Sequence, residues 1–273
     1  MEPDEKRSQA GFAQARTNLS NSDPGSSVKA LDRGLKVLAA ISDAGRPSSV
    51  SEIALAVGMT RTAARRFILT LEHLGYVASQ GQGYVLQPRV LELGEAYLSS
   101  QPLAAAAHPH LKELAAAVAE TVSLTVLHQG LVTYVDRVQA SRILSINIVV
   151  GSRVPAYATA TGRVLLAGLE EAALVSYFSA LQAQCYTANT ETDAGEIRKK
   201  VFEARDQGWF LADQQFRSGI RSLAVPVKDG RGATLAAINI SASASRVTAE
   251  DLKNQYLEPL RQTAEEIAAA VTG

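Results

Sequence analysis

Arg61, Thr62, Arg65 and Arg66 have the residue types and the spacing to read nucleic acid. On a helix turning about 100° per residue they fall opposite or beside the apolar row Ala64, Phe67, Ile68, Leu71 and Leu74, so a basic face turns outward. Arginine on such a face can donate two hydrogen bonds to guanine in the major groove, while its neighbours clamp phosphates. An arginine cluster on a single helix is more often an ordinary solvated surface, so the surrounding elements have to decide.

Those elements agree with a reading head. Thr60 is placed to cap that helix and Gly75 to close it; ahead of it, Ser49 and Glu52 form a capping box for a short helix through Val57. Ala54 and Gly58, four apart, supply the small residue at a helix crossing and the residue tolerant of positive φ that a helix-turn-helix needs, with Ile53, Val57 and Met59 beneath. An earlier helix starts at Val28, with Val28, Leu31, Leu35 and Leu38 predicted on one face, and stops at Asp43-Ala44-Gly45-Arg46-Pro47. Beyond Gly75, Tyr76–Ser79 and Tyr84–Leu86 flank Gln80-Gly81-Gln82-Gly83, which reads as a hairpin wing. Ser49, Thr60 and Gln82 therefore join the four helix residues as expected DNA contacts. Between Val28 and Leu86, seven Lys and Arg meet four Asp and Glu, a local charge of +3 in a chain of zero formal charge.

A length of 273 residues suggests two domains. Met1–Ser27, polar and without apolar period, reads as a disordered arm; 28–87 is the winged helix-turn-helix, 88–101 a linker helix beginning near Pro88 with Val90, Leu91, Gly94, Tyr97 and Leu98 on one face, and 102–273 a second domain. In the latter a helix through Leu111, Leu114 and Val118 precedes strands at Val122–Leu127, Leu131–Val135 and Ile143–Val150. Helices follow at about Thr161–Ala167, Glu170–Leu181 and Asp193–Gln207. Strands Leu223–Val227 and Leu235–Ile240 come next, and then a helix capped by Thr248 and Asp251 and running to Val271. Hairpins with helices define an antiparallel α+β domain.

Other chemistry finds little support. Cys185 is the single cysteine, which leaves no internal disulfide or multi-cysteine zinc site and fits a reducing cytoplasm. His108-Pro109-His110 lacks an acid or cysteine cluster and reads as an exposed helix entrance; His73 and His128 are isolated. Asp229-Gly230-Arg231-Gly232 joins two strands without a following helix, so it is a hairpin turn and not a phosphate loop. Neither Ser218 nor Cys185 lies in a nucleophile elbow. No apolar run approaches the ~18 residues of a membrane span, and no export signal follows Met1–Arg7. The expectation is a cytoplasmic protein that is not an enzyme and has no metal or cofactor.

On Leu31-Asp32-Arg33-Gly34-Leu35-Lys36-Val37-Leu38, Thr70-Leu71-Glu72-His73-Leu74-Gly75-Tyr76 and Gly219–Val227, the chain resembles the IclR family of bacterial transcriptional regulators from about Val28 to Thr272. Ala212–Ser222 with Ala236–Ser241 is similar to the subgroup governing protocatechuate, 4-hydroxybenzoate and β-ketoadipate pathways. The resemblance implies a winged helix-turn-helix dimerised through its N-terminal domains, a linker helix, and a GAF-like effector domain that often pairs into tetramers. Two-fold symmetry would then match a palindromic double-stranded operator, with RNA polymerase a further partner for an activator.

The resemblance also places a small organic acid against Ala160, Thr161, Ala212, Asp213, Ser222, Asn239 and Ser241. Ala160-Thr161-Gly162-Arg163 starts a helix, and helix N-termini favour anions. Small-keto-acid binders of the family carry an acid, a cysteine and a serine where this chain has Ala212, Ser222 and Asn239, which argues for a carboxylate unlike glyoxylate. Arg221 either neutralises that acid or forms an ordinary ion pair. The competing readings are a regulator of sugar-acid or small keto-acid metabolism, and a small-molecule binding module or enzyme with a winged helix that does not touch DNA.

Overall fold

The computed structural model describes residues 28–100, 102–140 and 148–272, which form two compact units divided after Ser100. The expected arm Met1–Ser27, and residues 141–147 of the strand expected from Ile143, lie outside the described residues.

The smaller unit is built from local signals. Helix α1 (Lys29–Ala44) stops at Gly45, which takes a left-handed φ of 61°. Helix α2 (Val50–Ala56) starts at a complete capping box: Glu52 N–H donates to Ser49 Oγ at 3.3 Å, and Ser49 N–H donates to the Glu52 carboxylate at 2.8 Å. Gly58, at φ 65°, turns the chain into α3 (Arg61–His73), where Thr60 Oγ1 accepts from Ala63 N–H at 3.3 Å. Strands β1 (Val77–Gln80) and β2 (Gly83–Leu86) pair antiparallel across the two-residue turn Gly81-Gln82. Val37, Ile41, Ile53, Ile68 and Val77 close the core.

The face predicted for α1 needs correction. Val37 and Ile41 are buried, whereas Val28, Leu31 and Leu35 are 67%, 63% and 56% exposed. Leu38, the fourth residue of the predicted face, is half-buried against the same core, so among the described residues the covered side is Val37, Leu38 and Ile41, and Val28, Leu31 and Leu35 are left outside it. Helix α4 (Val90–Ser100) begins two residues after Pro88, behind a turn in which Val90 N–H bonds Gln87 O. Of the face expected on it, Leu91 and Tyr97 are exposed and Val90 is half-buried.

The larger unit runs α5 (Pro102–Val118), β3 (Thr121–His128), β4 (Leu131–Val138), β5 (Arg153–Pro155), a 3-10 turn (Ala156–Ala158), α6 (Ala160–Ala167), α7 (Glu171–Ala180), α8 (Ala194–Gln207), β6 (Phe210–Asp213), β7 (Ile220–Lys228), β8 (Thr234–Ser243) and α9 (Ala249–Thr272). Its sheet has the order β5-β4-β3-β8-β7-β6, with every neighbouring pair antiparallel. Strand alternation divides the core in two. Leu223, Val225, Val227, Ile238 and Ile240 join Leu111 of α5 and Leu252 of α9, while Ala212, Ala224 and Ala237 join Val164 of α6 and Val201 of α8.

Three further expectations are revised. His108-Pro109-His110 is not a helix entrance; Pro109 lies inside α5. Ala107, Leu111, Leu114 and Ala115, spaced on one helical face across that proline, are buried, and this packing offsets the lost backbone hydrogen bond. Ile148–Val150 is loop, and the edge strand is the shorter β5, paired with β4 through Leu131–Thr133. Strand β6 was not foreseen.

Candidate DNA interface and effector cavity

On α3 the buried residues are Ala64 and Ile68, and Arg61, Thr62, Arg65 and Arg66 are exposed around the opposite half of the helix. Two other arginines of the unit are committed elsewhere. Arg46 pairs with Glu52 at 2.6 Å, and Arg89 donates to Leu74 O at 2.7 Å while lying over the Tyr76 ring. Among the described residues, Arg61, Arg65 and Arg66 enter no ion pair, which leaves their guanidinium groups available to phosphate and base edges.

Ser49 and Thr60, expected at DNA, are first of all the caps of α2 and α3. The Arg46 guanidinium, together with the Ser49 N–H and hydroxyl, holds the Glu52 carboxyl down at about 2, so the box keeps its charge throughout the ordinary pH range. Gln82 is exposed at the hairpin tip. The hairpin is fastened to the turn before α2 by Ser48 N–H to Tyr84 O (3.1 Å) and Tyr84 N–H to Ser48 O (2.9 Å). Gly83 permits that approach, since a Cβ on it would stand 2.7 Å from Ser48 N.

In the larger unit, Ala160, Thr161, Ala212, Ser222 and Ser241 line one small cavity of about 40 Å³. Register explains the convergence: Ser222 pairs with Ser241 and with Ala212 across neighbouring strands, so all three project from the same face. Thr159 caps α6 by accepting from Gly162 N–H at 3.1 Å, which aims the first turn of that helix at the cavity. Gly162 has no room for a side chain, because a Cβ would collide with the Ala156 carbonyl. Asn239 lies behind the wall, donating to Ser222 Oγ and Ser241 Oγ at 2.8 Å each; its Oδ1 is buried without a partner.

Asp213 and Arg221 do not join this site. They sit one residue out of phase with Ala212 and Ser222, hence on the other face of the sheet. There Arg221 Nε donates to Asp213 at 2.7 Å, and its Nη1 donates to Ala244 O and Val247 O at 2.8 Å each. Of the two roles open to Arg221, the structure gives it the ion pair.

Eight lining residues escaped the sequence reading, Ile148, Ala158, Thr159 and Ile220 among them. Tyr134 comes from β4, and Gln215, Phe216 and Arg217 from the loop between β6 and β7. No sequence signal brings β4 and that loop together. Burial pushes the Tyr134 hydroxyl up to about 12, so it stays a neutral donor. Arg163 of α6 is 0% exposed. Its Nε donates to Tyr157 O and one Nη to the Gln215 side chain, both at 2.8 Å, and its guanidinium lies 4.8 Å from the Phe210 ring centroid. The other Nη is buried without a partner, and desolvation pulls the group down to about 10 against weaker attraction from Glu191. His108 pairs with Asp136 at 2.9 Å and His110 with Glu266 at 3.3 Å. Among the described residues no three metal-ligating side chains cluster, and no helix is long and apolar enough to cross a membrane.

A capped helix-turn-helix with a basic outer face and a fastened wing, followed by a sheet-and-helix unit, defines a DNA-binding transcriptional regulator. Residues 30–81 match the IclR helix-turn-helix domain, and residues 95–269 match the bacterial transcriptional regulator IclR C-terminal domain. The chain belongs to the IclR family of transcriptional regulators. It is 35% identical over 247 residues to the Pca regulon regulatory protein of Pseudomonas putida, covering 90% of this chain and 85% of that one. It is 31% identical over 245 residues to the p-hydroxybenzoate hydroxylase transcriptional activator of Acinetobacter baylyi, covering 88% and 90%. The crystal structure of a putative transcriptional regulator from Rhodococcus sp. RHA1 superposes with a TM-score of 0.78 at 41% identity, covering 90% and 99%.

Proposed function

We propose that this regulator controls an aromatic-acid catabolic operon of the protocatechuate, 4-hydroxybenzoate or β-ketoadipate type, and that it answers to such an acid in the cavity beside α6. The Pca regulon regulatory protein of Pseudomonas putida and the p-hydroxybenzoate hydroxylase transcriptional activator of Acinetobacter baylyi, both similar to this chain, support the pathway. The observation that carries an acid is Arg163: a fully buried guanidinium with an unpartnered Nη, hydrogen-bonded to a cavity-lining glutamine and close behind a helix N-terminus, is a setting completed by an anion. Ser222, Ser241 and Thr161 provide hydroxyls for a second polar substituent. At about 40 Å³ the cavity has room for only about three waters, so an aromatic acid must displace Phe216 and the loop that carries it.

Arg61, Thr62, Arg65 and Arg66 read the operator, with Ser49, Thr60 and Gln82 at the phosphates. The uncovered row Val28, Leu31 and Leu35 of α1 is the face for a second copy, giving a dimer on a palindromic operator, with tetramers through the larger unit. Acid binding changes the spacing of the paired heads through α4, altering operator affinity or contact with RNA polymerase.

Thermal unfolding with a panel of acids tests the reading. At a hundredfold excess over its Kd, a ligand bound only by the folded state adds about 2.7 kcal/mol. For a unit of this size that raises Tm by roughly 5–10 °C. Protocatechuate, 4-hydroxybenzoate or β-ketoadipate is expected to give such a shift, and Arg163→Gln to lose most of it. A shift confined to small keto acids or sugar acids would replace the pathway assignment.

A further inference from the structure

A second, larger cavity opens on the same unit between the β3–β4 turn and α7, with a volume of about 540 Å³. It shares no lining residue with the cavity beside α6. Its walls are apolar and aromatic, with Leu127, Leu131, Pro155, Tyr157, Tyr177 and Tyr186 at their centre, and amide and hydroxyl groups of Gln129, Gln182, Gln184 and Ser176 also contributing. The walls hold no Asp, Glu, Lys, Arg or His at all.

The aromatic wall is held in place. Tyr157 OH donates to Gln184 O at 2.8 Å and accepts from Gln184 N–H at 2.6 Å, which ties the loop after α7 into the cavity wall. Tyr177 packs edge-on to Phe178 with centroids 5.4 Å apart, and its ring edge rests against Gly130, where a Cβ would stand 3.3 Å from it. Burial raises the hydroxyls of Tyr157 and Tyr177 above the ordinary tyrosine range, so the wall carries no phenolate.

We propose that this cavity is a second ligand site, for a neutral aromatic compound carrying one hydrogen-bonding substituent. The volume lies within the roughly 300–1,000 Å³ typical of small-molecule pockets. Fixed aromatic rings favour stacked or edge-on partners, and the amides at the walls satisfy one polar group. No charged side chain lines the cavity: a carboxylate brought here would lose its hydration without a counter-charge in the wall, whereas Arg217 lines the cavity beside α6. The two cavities thus divide ligands by charge, and the geometry links them, because Tyr157 lines the larger one while its carbonyl accepts from Arg163.

Titration of the full-length protein with 2-naphthamide and with 2-naphthoate at neutral pH, followed by naphthalene fluorescence and calorimetry, tests this. The two probes differ in charge and little else. The amide is expected to bind with a Kd on the order of 0.1 mM or tighter, and at least tenfold more tightly than the acid. Ala173→Trp, at an exposed lining position, fills the cavity and weakens the amide at least tenfold with Tm unchanged; Ala180→Trp, also exposed, does the same if the first variant folds poorly. Ser222→Leu, which plugs the other cavity, leaves amide binding intact. That comparison does not depend on whether the cavity beside α6 takes an acid. Equal binding of amide and acid, no amide binding, insensitivity to both tryptophan variants, or loss of amide binding in Ser222→Leu would each overturn the proposal. So would dissociation of an oligomer by Ala173→Trp without any effect on the probes, which would assign this face to a second copy of the chain.

Discussion

Gly83→Ala isolates how the wing is held. The new methyl would stand 2.7 Å from Ser48 N and 2.8 Å from Pro47 C. Favourable carbon contacts lie at about 3.5–4.0 Å, and both obstacles are backbone atoms that cannot rotate away. The hairpin therefore has to move off by close to 1 Å, which strains the two Ser48–Tyr84 hydrogen bonds. Overpacking of this kind costs roughly 1–3 kcal/mol, and weakening two backbone hydrogen bonds adds about 1–2 kcal/mol. Gly81→Ala is the control: it has a left-handed φ of 61° and nothing within 4 Å, so only conformational strain of about 1 kcal/mol opposes it. Circular-dichroism melting of the full chain should show the unit containing the wing destabilised by about 2–5 kcal/mol in Gly83→Ala and about 1 kcal/mol in Gly81→Ala. Operator affinity should fall more in the former, because its wing no longer lies where α3 needs it. Gly83→Ala melting with the wild type, or no lower than Gly81→Ala, would refute the account of the wing.

Thr60→Ala should destabilise the reading head by about 1 kcal/mol, and Thr60→Ser should restore it, since the hydroxyl to Ala63 N–H is what α3 needs at its start; equal melting of both variants would deny the cap. NMR titration should find the Glu52 carboxyl ionised down to about 2. Its folded pKa lies below the unfolded one, so its contribution is present above the ordinary carboxylate range and is lost as pH falls toward 2. Arg46→Ala should return the midpoint toward ordinary glutamate values, and an unchanged midpoint would show that Arg46 is not the main cause.

The local parts of the fold were legible because their causes are local. Ser49 with Glu52, Thr60, and Thr248 with Asp251 each place a hydroxyl or carboxylate where a helix start has unpaired N–H groups, and the structure uses all three as caps. Glycine at Gly58 and Gly81 marked turns that require positive φ. What failed was information held elsewhere in the molecule. Periodicity on α1 is satisfied equally by the row of Val28, Leu31 and Leu35 and by the row of Val37 and Ile41, and it does not say which one the chain's own core covers. Strands β5 and β6, at three and four residues, are too short to show alternation and exist because β4 and β7 present unpaired edges. The resemblance put Asp213 in the effector set, and charge alone suggested Arg221, although alternation puts both out of phase with Ala212 and Ser222. Arg163 was visible only as part of a helix start; its isolation from counter-ions is a property of the packed interior.

The central claim is that the outer face of α3 reads DNA, and the salt dependence of operator binding tests it most directly. Affinity for a palindrome taken from upstream of the protein's own gene should be measured across salt concentrations for the wild type, Arg65→Ala and Arg66→Ala. Each substitution is expected to cost about 1–3 kcal/mol. Each should also lower the slope of log K against log salt by about 0.9 where a phosphate contact is lost, leaving effector-induced thermal shifts unchanged. Wild-type affinity and slope in both variants would place the reading face elsewhere and contradict the account.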